Sequence, residues 1–145
     1  MERNRQFDER YLMFGVSALK LVELLPDGKV GSHVGDQLFR SATSPGAHLQ
    51  EARAAESRAD FIHKLQMALK EMREARYWLN VARLGELLKT EDVLGPCQEA
   101  DELVAILSQS VLTAKRNGGD LKPLRHYVEA DPPKPQWRES QHIKP

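Results

Sequence analysis

Residues 41–79 read SATSPGAHLQEARAAESRADFIHKLQMALKEMREARYWL, and the fold is decided in this stretch. Ser57-Arg58-Ala59-Asp60 has the form of a capping box, in which the Ser57 oxygen satisfies an orphan backbone donor and Asp60 reaches back. A helix therefore begins at about Arg58. Its apolar positions Phe61, Leu65, Ala68, Met72, Ala75, Leu79 and Ala82 alternate steps of four and three, a heptad-like stripe. Continued to Leu88, this helix would be roughly 45 Å long at about 1.5 Å per residue. Upstream, Ser32 is a good N-cap residue, so a preceding helix is predicted from about 32 to 56. Pro45 interrupts it. An interior proline removes a backbone donor and clashes with the turn before it, at a cost of about 3 kcal/mol. The expectation is a kink there, or a break with Ser44 capping a new start. Gln37, Ser41, Ser44, His48 and Glu51 form one polar line along this helix, with Leu38, Ala42, Leu49 and Ala52 beside it. A narrow polar line flanked by small apolar residues predicts a hydrogen-bonded seam between helices.

Toward the N-terminus, Phe7, Tyr11, Phe14, Ala18, Leu21 and Leu25 make one helical stripe, predicting a helix over about 6–25. Leu12, Val16, Leu19, Val22 and Leu24 lie off that stripe. A helix apolar on most of its circumference is central in the fold or meets another subunit. Pro26-Asp27-Gly28 supplies the turn that ends it. The far end of the long helix has the same all-round character: Tyr77, Trp78, Leu79, Val81, Ala82 and Leu84 cannot all face one core. Residues 89–95 read as a connector, and Pro96 suits the first turn of a last helix over 96–117. That helix carries Ala100, Leu103, Val104, Leu107, Val111 and Ala114 at helical spacing. Asn117-Gly118-Gly119 ends it, with Lys115 and Arg116 suited to the negative end of its dipole. Residues 118–145 contain prolines at 123, 132, 133, 135 and 145 and read as a partly disordered tail. Within it, LRHYV and Trp137 are candidates for local docking. Four helices with short connections predict an all-α, antiparallel up-down four-helix bundle over residues 1–117.

Composition fits that reading. Of 145 residues, 41% are apolar and 29% charged, which suffices for one domain with its own core. Lys plus Arg and Asp plus Glu both number 21, so the basic excess of a typical phosphate-gripping protein is absent from the total. Cys97 is the single cysteine, so no internal disulfide forms and a reducing, cytoplasmic home is expected. The apolar run over 103–114 is shorter than the roughly 20 residues of a membrane span. The charged N-terminus MERNRQFDER lacks the pattern of a signal peptide.

The polar identities in the middle of the chain add a resemblance. The series Gln37-Leu38, Arg40-Ser41, Thr43-Ser44, Ala47, Glu51-Ala52, Ser57, Asp60-Phe61-Ile62, Lys64, Ala68-Leu69-Lys70-Glu71 and Tyr77-Trp78-Leu79 resembles the bacterial four helix bundle protein family. Its founding members are encoded by intervening sequences in 23S ribosomal RNA genes. The accessory variability determinant of diversity-generating retroelements is a distant relation. The resemblance spans about residues 7–116 and implies a four-helix bundle protomer assembling as a barrel-shaped homopentamer, with no established enzymatic activity. It also implies a suspected association with RNA or an RNA-dependent enzyme. The chain departs from the family pattern at Pro45, where an aliphatic residue is common, and at His48, where asparagine is. The retroelement relatives are markedly basic; this chain is not.

Candidate chemistry is sparse. His48 and Glu51 are one turn apart and could share a metal, but a site needs three or four ligands, and nothing in the sequence brings His63 to them. Glu51, Asp60, Glu71 and Glu74 offer carboxylates; capping and pairing with Arg40, Arg53, Arg58 or Lys64 is their ordinary use. Cys97 has no placed base to activate it. Neither cofactor nor metal is expected. Arg53, Arg58, Lys70, Arg73, Arg76 and Arg83 are candidate nucleic-acid contacts, although nearby acids nearly match them. The predicted subunit interface comprises Tyr11, Leu12, Val16, Leu19, Tyr77, Trp78 and Val81. The functional expectation is a non-enzymatic, self-assembling helical module, a homopentameric ring that scaffolds a partner. The alternatives are an RNA- or DNA-binding accessory protein and a small enzyme with a site near His48 and Glu51.

Overall fold

The computed structural model describes residues 2–117. Their four helices are α1 (Glu2–Leu24), α2 (Lys29–Arg53), α3 (Arg58–Leu84) and α4 (Thr90–Arg116). The apolar stripes read from the sequence are the core. Phe7, Tyr11, Phe14, Ala18 and Leu21 of α1 meet Leu38, Ala42, Leu49 and Ala52 of α2 in one buried cluster. The α3 stripe from Phe61 to Ala82 and the α4 stripe from Ala100 to Ala114 complete it. Each helix packs on its chain neighbours, α2 on α3 most extensively, and α4 returns to α1. The pairs α1–α3 and α2–α4 stand diagonally. The molecule is an all-α four-helix bundle.

Small residues set the α1–α2 approach. A methyl group at Gly46 would touch Tyr11, one at Gly15 would touch Ala42 and Thr43, and one at Gly35 would sit 3.2 Å from Val22 Cγ1. Rising numbers on α1 thus meet falling numbers on α2, an antiparallel register. Ion pairs between Arg40 and Glu71 and between Lys64 and Glu51 give α2–α3 the same sense. In α3–α4 the Arg58 guanidinium donates to the Ala114 and Lys115 carbonyls at 2.9 and 3.0 Å, capping the end of α4.

Several ends differ from the sequence expectation. α2 begins at Lys29, not near Ser32; Gly28 is its N-cap, at φ 117, a conformation glycine adopts without strain. Ser32 lies inside the first turn, its N–H donating to the Gly28 carbonyl at 3.0 Å. The turn is tight: a Cβ on Gly31 would fall 1.8 Å from the Pro26 carbonyl oxygen. α2 runs unbroken through Pro45, whose ring is buried. The hydroxyls of Ser41, Thr43 and Ser44 donate back to the carbonyls of Gln37, Phe39 and Arg40 at 2.7, 2.8 and 2.6 Å, so Ser44 caps no new helix. Packing of the buried faces on both sides of the proline keeps the helix in one piece.

At the start of α3 the Ser57 hydroxyl accepts from the Asp60 backbone N–H at 3.1 Å. The return bond from the Asp60 carboxylate is not made. α3 stops at Leu84 rather than Leu88. The Leu87 N–H reaches back to the Ala82 carbonyl at 2.9 Å and the Glu86 N–H to Arg83 at 3.2 Å, with Glu86 at φ 56. This is a Schellman stop with glutamate in the left-handed position. α4 starts at Thr90, so 90–95 is helix rather than connector, with Glu91 and Asp92 in the first turn where the dipole favours them. Pro96 therefore sits in the second turn, buried against the core. The expectations about residues 118–145, LRHYV and Trp137 included, lie outside the described residues.

Candidate functional site

The polar line on α2 does not act as a continuous seam between helices. Ser41 and Ser44 spend their hydroxyls on their own helix, because a serine in a helix interior finds the carbonyl four residues back before it finds a neighbour. Gln37 accepts from Arg40 at 3.4 Å. Only Glu51 crosses, accepting from Lys64 Nζ on α3 at 2.7 Å. His48 Nδ1 is buried without a hydrogen bond and lies 3.7 Å from Glu51 Oε2. The bond to Lys64 holds the Glu51 carboxyl below its usual pKa and lifts that of Lys64. Among the described residues no three His, Cys, Asp or Glu side chains converge in a way that could hold a metal ion.

One turn away from this line, Arg40 makes the principal α2–α3 cross-link. It donates to Glu71 at 2.9 Å and also to Glu74. Glu74 further accepts from the Trp78 indole at 3.4 Å, and its pKa is lowered, chiefly by the Arg40 bond. Trp78 is half-buried, with its ring edge-on to His33 at 5.6 Å.

The α1–α4 contact carries an ionic cluster that the sequence reading missed. Arg10 donates to both oxygens of Glu99 at 3.0 and 2.8 Å and to Glu102 at 2.8 Å. Glu99 is 4% exposed, a buried carboxylate. Burial alone would lower the pKa of the Arg10 guanidinium; the bonds to the two glutamates more than reverse that. The available signal was a charge, Glu99, set directly beside the apolar stripe at Ala100 and Leu103. Next to the cluster the buried Tyr11 hydroxyl donates to the Leu103 carbonyl at 3.1 Å, and burial pushes its pKa well up.

Tyr11 is 1% exposed and belongs to the core, so it cannot also be a contact to another subunit. Its place on the inward stripe, with a hydroxyl partner on α4, removes it from the predicted interface. Trp78 and Val81 pack partly against the protomer's own core. Leu12, Leu19 and Tyr77 remain 65, 47 and 60% exposed, and Val16 is half-buried between the two leucines. These exposed residues fall on α1 and α3, the diagonal pair.

Of the predicted nucleic-acid contacts, Arg53 donates to Asp8 at 2.8 Å, Arg58 caps α4, Arg76 lies 3.7 Å from Asp101 and Arg83 donates to Asn80 at 3.1 Å. Lys70 and Arg73 differ: neither forms an ion pair within 4 Å among the described residues. They stand on the α3 wall of an open groove of about 490 Å³ between α3 and α4. Leu69, Val111 and Leu112 give the groove its apolar surface, Gln66 and Ser108 add polar groups, and Lys115 stands on the opposite wall. Among the described residues, no acidic and no aromatic residue lines it. Cys97 is elsewhere, buried beside Arg83, with its thiol pKa raised mainly by burial.

The comparisons agree with this architecture. A protein of unknown function from the S23 ribosomal protein family of Bacteroides thetaiotaomicron, solved by crystallography, is 33% identical and superposes with a TM-score of 0.64. The match covers 72% of this chain and 97% of that one. No curated protein matches the chain. Residues 13–109 match the family described as 23S rRNA-intervening sequence protein, a span that runs from the second half of α1 into α4, and the chain belongs to that family.

Proposed function

We propose that the protein is a non-enzymatic structural module that assembles into a closed homopentameric ring and presents that ring to a partner in the cytoplasm. The observation that supports the reading is that Leu12, Leu19 and Tyr77, residues of the predicted interface, stay exposed on α1 and α3, although Val30 and Phe39 on α2 and Leu94 and Leu112 on α4 are exposed as well. Leu12 and Leu19 lie on the outer side of α1, and Tyr77 lies on α3. An isologous dimer would use one self-complementary patch. Unlike apolar patches on two different helices suit head-to-tail contacts, which close into a ring when the rotation allows. The homopentamer implied by the resemblance is one such ring. The single buried thiol is compatible with a reducing compartment, and among the described residues no helix is long and apolar enough to cross a membrane.

The test is a pair of surface variants read by light scattering. Leu12→Glu and Tyr77→Glu should each yield monomers that keep the helical circular dichroism of the parent. Assembly unaffected by both would place the interface elsewhere. Trp78 is a poorer probe, because its indole is part of the protomer's own packing.

Nucleic-acid binding is the second reading. Four of the six predicted contacts are engaged within the protomer, which leaves Lys70 and Arg73 to carry it. A counterion-release mechanism with so few phosphate contacts per protomer would depend on repetition around the ring. An enzymatic site at His48 and Glu51 has less support, since Glu51 is held by Lys64.

A further inference from the structure

The α3–α4 groove combines features that the rest of the surface keeps apart. Across the bundle, basic side chains near a helix contact are spent on carboxylates or carbonyls: Arg10 on Glu99, Arg40 on Glu71, Arg53 on Asp8, Lys64 on Glu51. At this groove they are not. Lys70 and Arg73 project from one wall and Lys115 from the other, with no carboxylate among the described residues lining the space between them. Lys115 has an ordinary role at a helix C-terminus. Lys70 and Arg73 are mid-helix, where the dipole gives no such reason. Glu74, one turn from Lys70, is bonded to Arg40, and Lys70 acts on it through its charge without forming an ion pair within 4 Å.

Between these walls the surface is aliphatic. Leu69 and Val111 form its base, and Leu112 stands 49% exposed beside them. An apolar strip flanked on both sides by cations is the inverse of a helix with an apolar stripe flanked by carboxylates. Helix-in-groove recognition uses that relation. Single-stranded nucleic acid is the poorer fit, because it commonly relies on aromatic rings for base stacking, and none among the described residues lines the groove.

We propose that the groove between α3 and α4 is a docking site for an acidic amphipathic helix of a partner protein. The apolar stripe of that helix meets Leu69, Val111 and Leu112, and its carboxylates face Lys70, Arg73 and Lys115. This proposal rests on the scaffold reading and adds the chemistry of the scaffolded partner.

The probe is a fluorescein-labelled synthetic helical peptide with leucines at i, i+3 and i+7 flanked by glutamates, titrated with the full-chain protein at low salt and followed by anisotropy. The acidic peptide should bind at least tenfold more tightly than its lysine-flanked counterpart. Lys70→Glu combined with Arg73→Glu should reverse that preference, and both residues are surface-exposed, so folding is spared. Equal binding of the two peptides, or a preference untouched by the charge reversal, overturns the proposal. So does displacement of the acidic peptide by an equimolar uridine oligonucleotide, which would make the groove a polyanion site. Displacement by an equimolar peptide of residues 118–145 would assign the groove to the chain's own C-terminal segment and equally overturn it. Light scattering on the same samples separates the two claims. A ring that ignores the acidic peptide sinks only this inference, whereas a monomer that binds it with the predicted preference supports the groove and removes the ring.

Discussion

At the scale of single residues, the most instructive position is Glu86. It ends α3 in the left-handed region at φ 56, where a side chain costs about 1–2 kcal/mol and glycine costs almost nothing. Gly85 stands one position too early to fill that place. Glu86→Gly should therefore raise stability by about 0.5–1 kcal/mol after the extra chain entropy of glycine is subtracted, read as a higher urea midpoint with an unchanged slope. An unchanged or lower midpoint would mean that the backbone there is not held as described. The same position shows why the end of α3 was misjudged. Leu84, Leu87 and Leu88 continue an apolar pattern past the stop, and periodicity does not register a backbone reversal made by a non-glycine residue. Ser57 was legible because its capping role is local, and the Ser57–Asp60 N–H bond needs no distant partner. Tyr11 was not, because its burial depends on the Leu103 carbonyl on α4.

At the scale of elements, the stripes were readable and the polar links between them largely were not. Every stripe residue from Phe61 to Ala82 is in the core, since heptad spacing translates directly into one helix face. Pro45 was read as a kink or a break because propensity weighs backbone cost alone. Its buried ring and the packing of Leu38, Ala42, Leu49 and Ala52 hold the helix together across it. The pair Arg10–Glu99 is separated by most of the chain, so no window of sequence contains it. It now supports a prediction about the smallest of the neighbouring-helix contacts, α1–α4. Arg10→Ala strands the Glu99 carboxylate in a buried site and should cost roughly 3 kcal/mol. Arg10→Met with Glu99→Leu removes both charges and should recover most of the loss. Melting curves of the single and double variants decide it; equal destabilisation by the two would show that the charges themselves, not the unpaired carboxylate, matter.

At the scale of the whole molecule, the bundle joins its α2–α3 face with exposed ion pairs, and these set a pH dependence. Hydrogen bonds from Lys64 and Arg40 lower the pKa values of Glu51 and Glu74 in the folded state. A lowered folded pKa adds stability that is complete above the unfolded value, about 4.3, and is lost as pH falls through the folded one. The melting temperature should hold from neutral pH to about pH 5 and decline below about pH 4. The double variant Arg40→Met with Lys64→Met should lose less on acidification than the parent. An equal acid-side loss in both would exclude these pairs as its source. Both pairs are exposed, so the effect is modest and screened by salt.

Assembly is the property of the whole molecule on which the functional reading depends. It is expected from apolar residues in excess of one core, of which Leu12, Leu19 and Tyr77 stay exposed while Leu79 and Ala82 are buried in the protomer. The most direct measurement is the absolute mass of the full-chain protein at micromolar concentration, by light scattering coupled to gel filtration. A homopentameric ring gives one species of about five times the 16.4 kDa chain. A monodisperse monomer would contradict it.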